Sequence, residues 1–180
     1  EGSHDTILRV LSRLVQEGKI LRIQNSIYYK PEFNRFLKGR PVPPDVNEVI
    51  KVISNRNKET LQIHGSSAVN KLGLSTQVPL TKVFYTNGPS REVIIAGTRV
   101  KFIHTENQNI LQASGTEVGM ALSALIFLGR EHVDQEVVRQ VKSRLSENHF
   151  KRLKRMQMSS WLKERLSDPA VKESSYALAG

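Results

Sequence analysis

Residues 5–31 read DTILRVLSRLVQEGKILRIQNSIYYKP. At about 100° per residue, Ile7, Leu8, Val10, Leu11, Leu14 and Val15 fall on one side of a helix over 5–17, and Asp5, Thr6, Arg9, Ser12, Arg13 and Gln16 on the other. Ser3 or Asp5 is placed to cap its start, and Gly18 to end it in a left-handed conformation. Residues 19–23, KILRI, then alternate with a two-residue period. The polar tip Gln24-Asn25-Ser26 leads into Ile27-Tyr28-Tyr29-Lys30, which predicts a β-hairpin over 19–30.

A helix with a cationic polar face running directly into a hairpin has the form of the second half of a winged helix-turn-helix. A major groove about 12 Å wide admits one helix, and Arg and Gln make bidentate bonds to guanine and adenine edges. Arg9, Ser12, Arg13 and Gln16 are therefore the candidate base readers. Lys19, Arg22, Asn25, Ser26 and Lys30 would lay the wing along phosphates. The helix alone reads equally well as an ordinary surface helix; the immediate hairpin and the basic balance favour DNA. Such a domain calls for one or two preceding helices to cover Leu8, Leu11 and Val15. The unit expected over 1–38 is thus a truncated winged helix that opens at its recognition helix.

The charge agrees with this reading. The chain has 180 residues, with 27 Lys plus Arg against 17 Asp plus Glu, a net charge of +10. A polyanion is the natural partner for such a surplus, because each cation meeting a phosphate releases condensed counterions. Over 130–166 there are ten Lys/Arg and five Asp/Glu. The densest cluster, Lys151, Arg152, Lys154 and Arg155, has Phe150, Leu153 and Met156 interleaved, so one helix could dock by its apolar side and present cations on the other. That cluster is a second candidate DNA-contact surface. Cysteine is absent, which excludes disulfides, a thiol nucleophile and thiolate zinc sites. No apolar run approaches the roughly 18 residues of a membrane-spanning helix, and no signal segment opens the chain. A cytoplasmic protein without a membrane partner is expected.

Pro31 ends the hairpin, and residues 39–44, GRPVPP, read as a stiff linker before a second domain over 45–180. There the pattern predicts a helix over 45–56, a strand at 61–64, a short helix over 66–72 stopped by Gly73, and a strand at 82–86. A second hairpin, 93–96 with 99–104, turns on Gly97-Thr98. Helices follow over 116–129, 134–145, 147–156 and 160–166. The first of these is apolar nearly all round from Met120 to Leu128, which marks a buried central helix where Gly119 permits close packing. The fold class is α+β: the winged-helix remnant, then a mixed α/β domain with a helical tail.

Three blocks, LSRLVQEGKILRIQNSIYYKP (11–31), GSSAVNKLGLSTQVP (65–79) and VFYTNGPSREVIIAGTRVKFIHT (83–105), resemble the AbiE-type antitoxin family of type IV toxin–antitoxin, or abortive infection, systems. The resemblance runs from about residue 5 to residue 161. It implies a cytoplasmic transcriptional regulator with an N-terminal winged helix, one that represses its own operon by binding operator DNA. It further implies a role in counteracting a nucleotidyltransferase-type toxin, for which direct binding is not required. The wing tip departs from the family pattern: Asn25-Ser26 stands where relatives carry Arg-Gly.

Other chemistry finds little support. His64-Gly65-Ser66-Ser67 could pair a base with a nucleophile, but no carboxylate is linked to it by motif, and Ser66 or Ser67 as a helix cap is the simpler reading. His104 and Glu106 have spacing that can share a face, yet acidic partners for a metal are scarce, Asp occurring only at positions 5, 45, 134 and 168. His132 and His149 read as solvated or phosphate-facing. Residues 86–91, TNGPSR, form a turn from which Arg91 could reach a phosphate. No catalytic residue, metal or cofactor is expected. The competing expectation is a protein-interaction module that docks a toxin or a second copy without reading DNA sequence.

Overall fold

The computed structural model describes residues 3–24 and 26–167. The fold is of the α+β type, with helices around a two-stranded and a four-stranded sheet. Two compact units divide it. One holds the described residues up to Asn57 together with Ile94–Thr98, and the other the remainder.

In the first unit, α1 (His4–Gln16) is capped by Ser3, whose Oγ accepts from the Thr6 N–H at 3.4 Å. Its end is a left-handed cap. Gly18 has φ +67°, its N–H donates to the Val15 carbonyl at 3.0 Å, and the Lys19 N–H reaches back to the Leu14 carbonyl at 2.9 Å. These bonds occupy carbonyls that a frayed helix end would leave to water. The chain then enters β1 (Leu21–Gln24), paired antiparallel with β2 (Ile27–Tyr29), with Leu21 opposite Tyr29 and an irregularity between Arg22 and Gln24. Residues 39–44 are tied to the segment before them. Pro41 bridges Phe33, and the Val42 N–H donates to the Glu32 carbonyl at 2.7 Å. Asp45 caps α2 (Val46–Asn57) through Oδ1, 2.6 Å from the Asn47 amide. Val49, Ile50 and Ile53 are buried at the helical spacing read from sequence.

The second unit, apart from Ile94–Thr98 at the hairpin end, is built on β3 (Leu61–Ile63), α3 (Gly65–Lys71), β4 (Lys82–Thr86), β5 (Arg91–Ile95) and β6 (Thr98–His104), in sheet order β3-β4-β6-β5. β4 pairs antiparallel with β3 and parallel with β6. A short helix, α4 (Gln108–Leu111), precedes α5 (Glu117–His132), and α6 (Gln135–Arg144), α7 (Glu147–Arg155) and α8 (Ser160–Ser167) follow. The central helix is α5: Val118, Ala121, Leu122, Ala124 and Leu125 are fully buried. Its one polar interior residue, Ser123, donates to the Ile63 carbonyl at 2.7 Å, satisfying an edge-strand acceptor under the helix.

Two glycines set how closely α5 is approached. A Cβ on Gly119 would lie 2.0 Å from the Ala113 carbonyl oxygen, and one on Gly65 would lie 2.0 Å from Phe127 Cβ and 2.7 Å from the Ser123 carbonyl oxygen. At Gly129 the backbone leaves the helical region (φ 74°, ψ 173°), so α5 kinks before its last turn.

The structure moves one expected turn. The second hairpin turns on Ala96-Gly97, with φ of 48° and 79°, not on Gly97-Thr98. A two-residue hairpin turn with both central residues left-handed excludes a β-branched Thr, and the shift returns Thr98 to the strand. Ala96 is exposed and pays about 1 kcal/mol for that conformation. Ala96→Asn is therefore expected to stabilise by about 1 kcal/mol, seen as a melting midpoint about 2–4 °C higher. Gly119→Ala should instead cost about 3 kcal/mol or more, because the Ala113 carbonyl it would meet is backbone and cannot rotate away. A neutral result at Gly119 in urea unfolding would contradict the close approach.

Candidate nucleic-acid interface

On α1 the four candidate base readers, Arg9, Ser12, Arg13 and Gln16, are all exposed. Arg9, Ser12 and Gln16 make no hydrogen bond or ion pair among the described residues. Arg13 and Lys19 both face Glu17, at 3.8 and 2.8 Å. The Lys19 ammonium, first by hydrogen bond and then by charge, and after it Arg13, hold the Glu17 carboxyl below the usual carboxylate range. Glu17 thus occupies one candidate base reader, Arg13, and one candidate phosphate holder, Lys19. The sequence reading missed it, although its i,i+4 spacing from Arg13 was the signal.

On the β1–β2 hairpin, Arg22 is exposed, and its Nε donates to the Gln24 carbonyl at 3.5 Å. Lys30 is exposed beside buried Pro31. Ser26 holds φ +60°, the left-handed conformation that the Gly of the resembled pattern would adopt without strain. Asn25 lies outside the described residues. The apolar side of α1 is only partly covered. Leu11, Leu14 and Val15 are half-buried, whereas Ile7, Leu8 and Val10 are 54%, 46% and 40% exposed.

The second cluster belongs to the other unit. Phe150 and Leu153 bury the inner side of α7, and Lys151, Arg152 and Arg155 are exposed. Lys151 pairs with Glu147 at 2.7 Å, and the Lys154 ammonium lies 5.6 Å from the Phe150 ring centre. Arg152 and Arg155 make no ion pair among the described residues.

Several residues singled out by sequence prove to be structural. Arg91 does not reach toward a phosphate. It is largely buried, its guanidinium is bidentate on the Glu59 carboxylate at 2.9 and 2.5 Å, and it lies 4.3 Å from the Phe102 ring centre. His104 Nδ1 is 2.9 Å from the Gly88 carbonyl, which fixes the 86–91 turn. His149 is neither solvent-only nor phosphate-facing; its Nδ1 meets Glu117 at 3.0 Å. The cap of α3 is His64 itself rather than Ser66 or Ser67: Nδ1 accepts from the Ser66 N–H at 3.2 Å, with the Ser66 hydroxyl 2.9 Å away. The His64 ring packs against Tyr85 and Phe127 at 4.7 and 5.4 Å. A serine beside a histidine is a nucleophile–base geometry, but Glu59, the nearest acid in the sequence, is already held by Arg91. Among the described residues no group of three or more His, Asp or Glu could hold a metal ion. No helix of the described residues is long and apolar enough to cross a membrane.

A family model described as a family of unknown function, DUF6088, matches residues 1–153. The chain belongs to that family. No curated protein and no solved structure matches it. In this DUF6088 member the matched span holds α1, the hairpin, the sheet and two of the four α7 cations, Lys151 and Arg152; Lys154, Arg155 and α8 lie past it.

Burial holds the His64 imidazole below the usual histidine value of about 6.5. A neutral ring is needed to accept at a helix start, so the unfolded chain takes up the proton first. The cap's contribution is complete above the unfolded value and is lost as pH falls through the lower folded value. The urea midpoint should therefore drop on going from pH 7.5 to pH 5. His64→Asn, which caps without titrating, should drop by less. Equal drops in the two proteins would show that His64 does not carry the effect.

Proposed function

We propose that this chain is an operator-binding autorepressor and antitoxin of a type IV toxin–antitoxin system, reading DNA with α1 and bracing on phosphates with the β1–β2 wing. The observation that carries this reading is the exposed row Arg9, Ser12, Arg13 and Gln16 on a helix joined to a cationic hairpin through the Gly18 turn. The turn holds helix and hairpin in a fixed relation, as simultaneous contact with a groove and its neighbouring backbone requires. The α7 cations would add affinity without sequence preference. The resemblance to AbiE-type antitoxins supports a nucleotidyltransferase-type toxin as the functional partner and a cytoplasmic location.

Base readers and phosphate holders are separable by salt. Anisotropy titrations of the chain with its own promoter and with a scrambled duplex should give a negative slope of log K on log salt. Arg9→Gln with Arg13→Gln should lower the promoter-over-scrambled ratio by at least about tenfold, since each bidentate base contact contributes about 1–3 kcal/mol of discrimination. Lys19→Gln, Arg22→Gln or Lys30→Gln should leave that ratio nearly unchanged and reduce the slope by about 0.9 each. Unaltered discrimination in the double variant would overturn the assignment of base readers.

A second reading, a protein-interaction module, is favoured by the exposed Ile7, Leu8 and Val10 on the other side of α1. Apolar residues in a contiguous row invite a covering partner. Copurification with the neighbouring operon product that persists in high salt and is lost in Leu8→Ser supports this reading; dissociation in high salt excludes it.

A further inference from the structure

Residues 32–42, EFNRFLKGRPV, carry three cations, Arg35, Lys38 and Arg40, against one carboxylate, Glu32. They form a closed loop. The Phe33–Pro41 bridge and the bond from the Val42 N–H to the Glu32 carbonyl, 2.7 Å, tie its base. The far end is a 3-10 turn, Arg35–Leu37, begun by Asn34, whose Oδ1 accepts from the Phe36 N–H at 2.9 Å. Lys38 and Gly39, at φ 50° and 77°, then reverse the chain. So held, Phe36 is 93% exposed and Phe33 63%. A single apolar side chain in water needs no explanation, but two phenyl rings three residues apart on a tied loop do. Around them the Arg35, Lys38 and Arg40 side chains are exposed and make no ion pair or hydrogen bond among the described residues. Glu32 stands at the tied base, outside the stretch from Phe33 to Arg40 that holds both rings and all three cations.

We propose that this loop binds single-stranded nucleic acid, with one base stacked on Phe36, a neighbouring base on Phe33, and phosphates on Arg35, Lys38 and Arg40. Every base has a π-face, so an aromatic ring takes any of them, while flanking cations hold the backbone. The free guanidiniums present paired N–H groups to phosphate oxygens. A single strand is favoured over a duplex by what each must give up. Stacking on a ring returns about as much as opening one step of a duplex costs, and a strand with open bases has no such cost. An anionic bilayer also accepts rings and cations, but its hold scales with buried apolar area, and two phenyl groups offer little of it. The loop shares no residue with the proposed base readers and phosphate holders of α1 and the β1–β2 hairpin, so it is tested apart from the operator reading.

The full chain is titrated by anisotropy with a short labelled oligothymidylate, an oligouridylate of the same length and a duplex of unrelated sequence, and by cosedimentation with vesicles of phosphatidylserine and phosphatidylcholine. Saturable binding of at least one single strand is expected. Phe36→Ala leaves every charge in place and removes a ring that stands outside the core, so the far-ultraviolet circular dichroism should stay unchanged. It should weaken the single strand by about fivefold to a hundredfold and the duplex by less than about twofold. Phe36→Trp should keep the single-strand affinity, since a larger ring still stacks. Arg35→Gln with Arg40→Gln should flatten the single-strand slope of log K on log salt by about 1.4, at about 0.7 per phosphate contact. No saturable single-strand binding, or an unchanged affinity in Phe36→Ala, would overturn the proposal. So would an equal loss on the duplex, which marks a ring wedged between base pairs, or a Phe36-dependent affinity for vesicles alone, which marks a membrane contact.

Discussion

The hydrogen bond from the Lys19 amide to the Leu14 carbonyl, 2.9 Å across a left-handed Gly18, converts a helix into a strand within a few residues. Nothing lies within 4 Å of a Cβ placed on Gly18, so packing does not demand glycine there; the backbone conformation alone does. From that junction follow the direction of β1 and the position of Lys19 beside Glu17. Through the pairing of Leu21 with Tyr29 it also sets where the wing tip stands. The proposed duplex contact has this turn as its hinge, because a helix and a wing that varied in relative angle could not meet a groove and its flank together.

The second unit rests on a different constraint, the close approach of backbones around α5. Gly65 brings the start of α3 against Ser123 and Phe127, and Gly119 brings α5 against the Ala113 carbonyl. Two polar groups inside that contact are satisfied locally, Ser123 on Ile63 and the α3 start on His64, whereas the buried Gln62 amide beside Gly119 has no hydrogen-bond partner among the described residues. Arg91 and Glu59 serve the same end at the other side of the sheet, clamping the 86–91 turn to the residues before β3. A buried bidentate pair of this kind is costly to break from one side, which explains why a cation in a turn that looks free in sequence is committed in the fold.

Much of the architecture was legible because it follows local rules. The opening helix, the first hairpin, α2, β4 and the apolar α5 were readable from periodicity, caps and turn residues acting over a few positions. The hairpin turn at Ala96-Gly97 was misplaced by one residue because glycine can occupy either central position, and strand pairing rather than composition decides between them. The four-residue α4 has no period to detect. The Glu59–Arg91 pair joins residues 32 apart and has no short-range signature. Of the candidate interface, exposure of the α1 polar face was legible from its amphipathic pattern. The i,i+4 spacing of Arg13 and Glu17 was also in the sequence, but the capture of Lys19 by Glu17 needed the geometry of the helix end.

The proposed interface assigns opposite tasks to the two sides of one helix: cations and amides toward a groove, aliphatic side chains toward a covering surface. Glu17 tempers the cationic side, since DNA must displace it before Arg13 is free for a base edge and Lys19 for a phosphate. The chain contains no cysteine, so a single Ser12→Cys places one reactive thiol in the middle of the polar face. A DNA-cleaving iron chelate attached there, on the chain bound to its own promoter, should cut at a few discrete positions facing one major groove, and far less on a scrambled duplex. Cutting spread evenly along both duplexes, or no cutting beyond that of the free chelate, would contradict the placement of α1 on DNA.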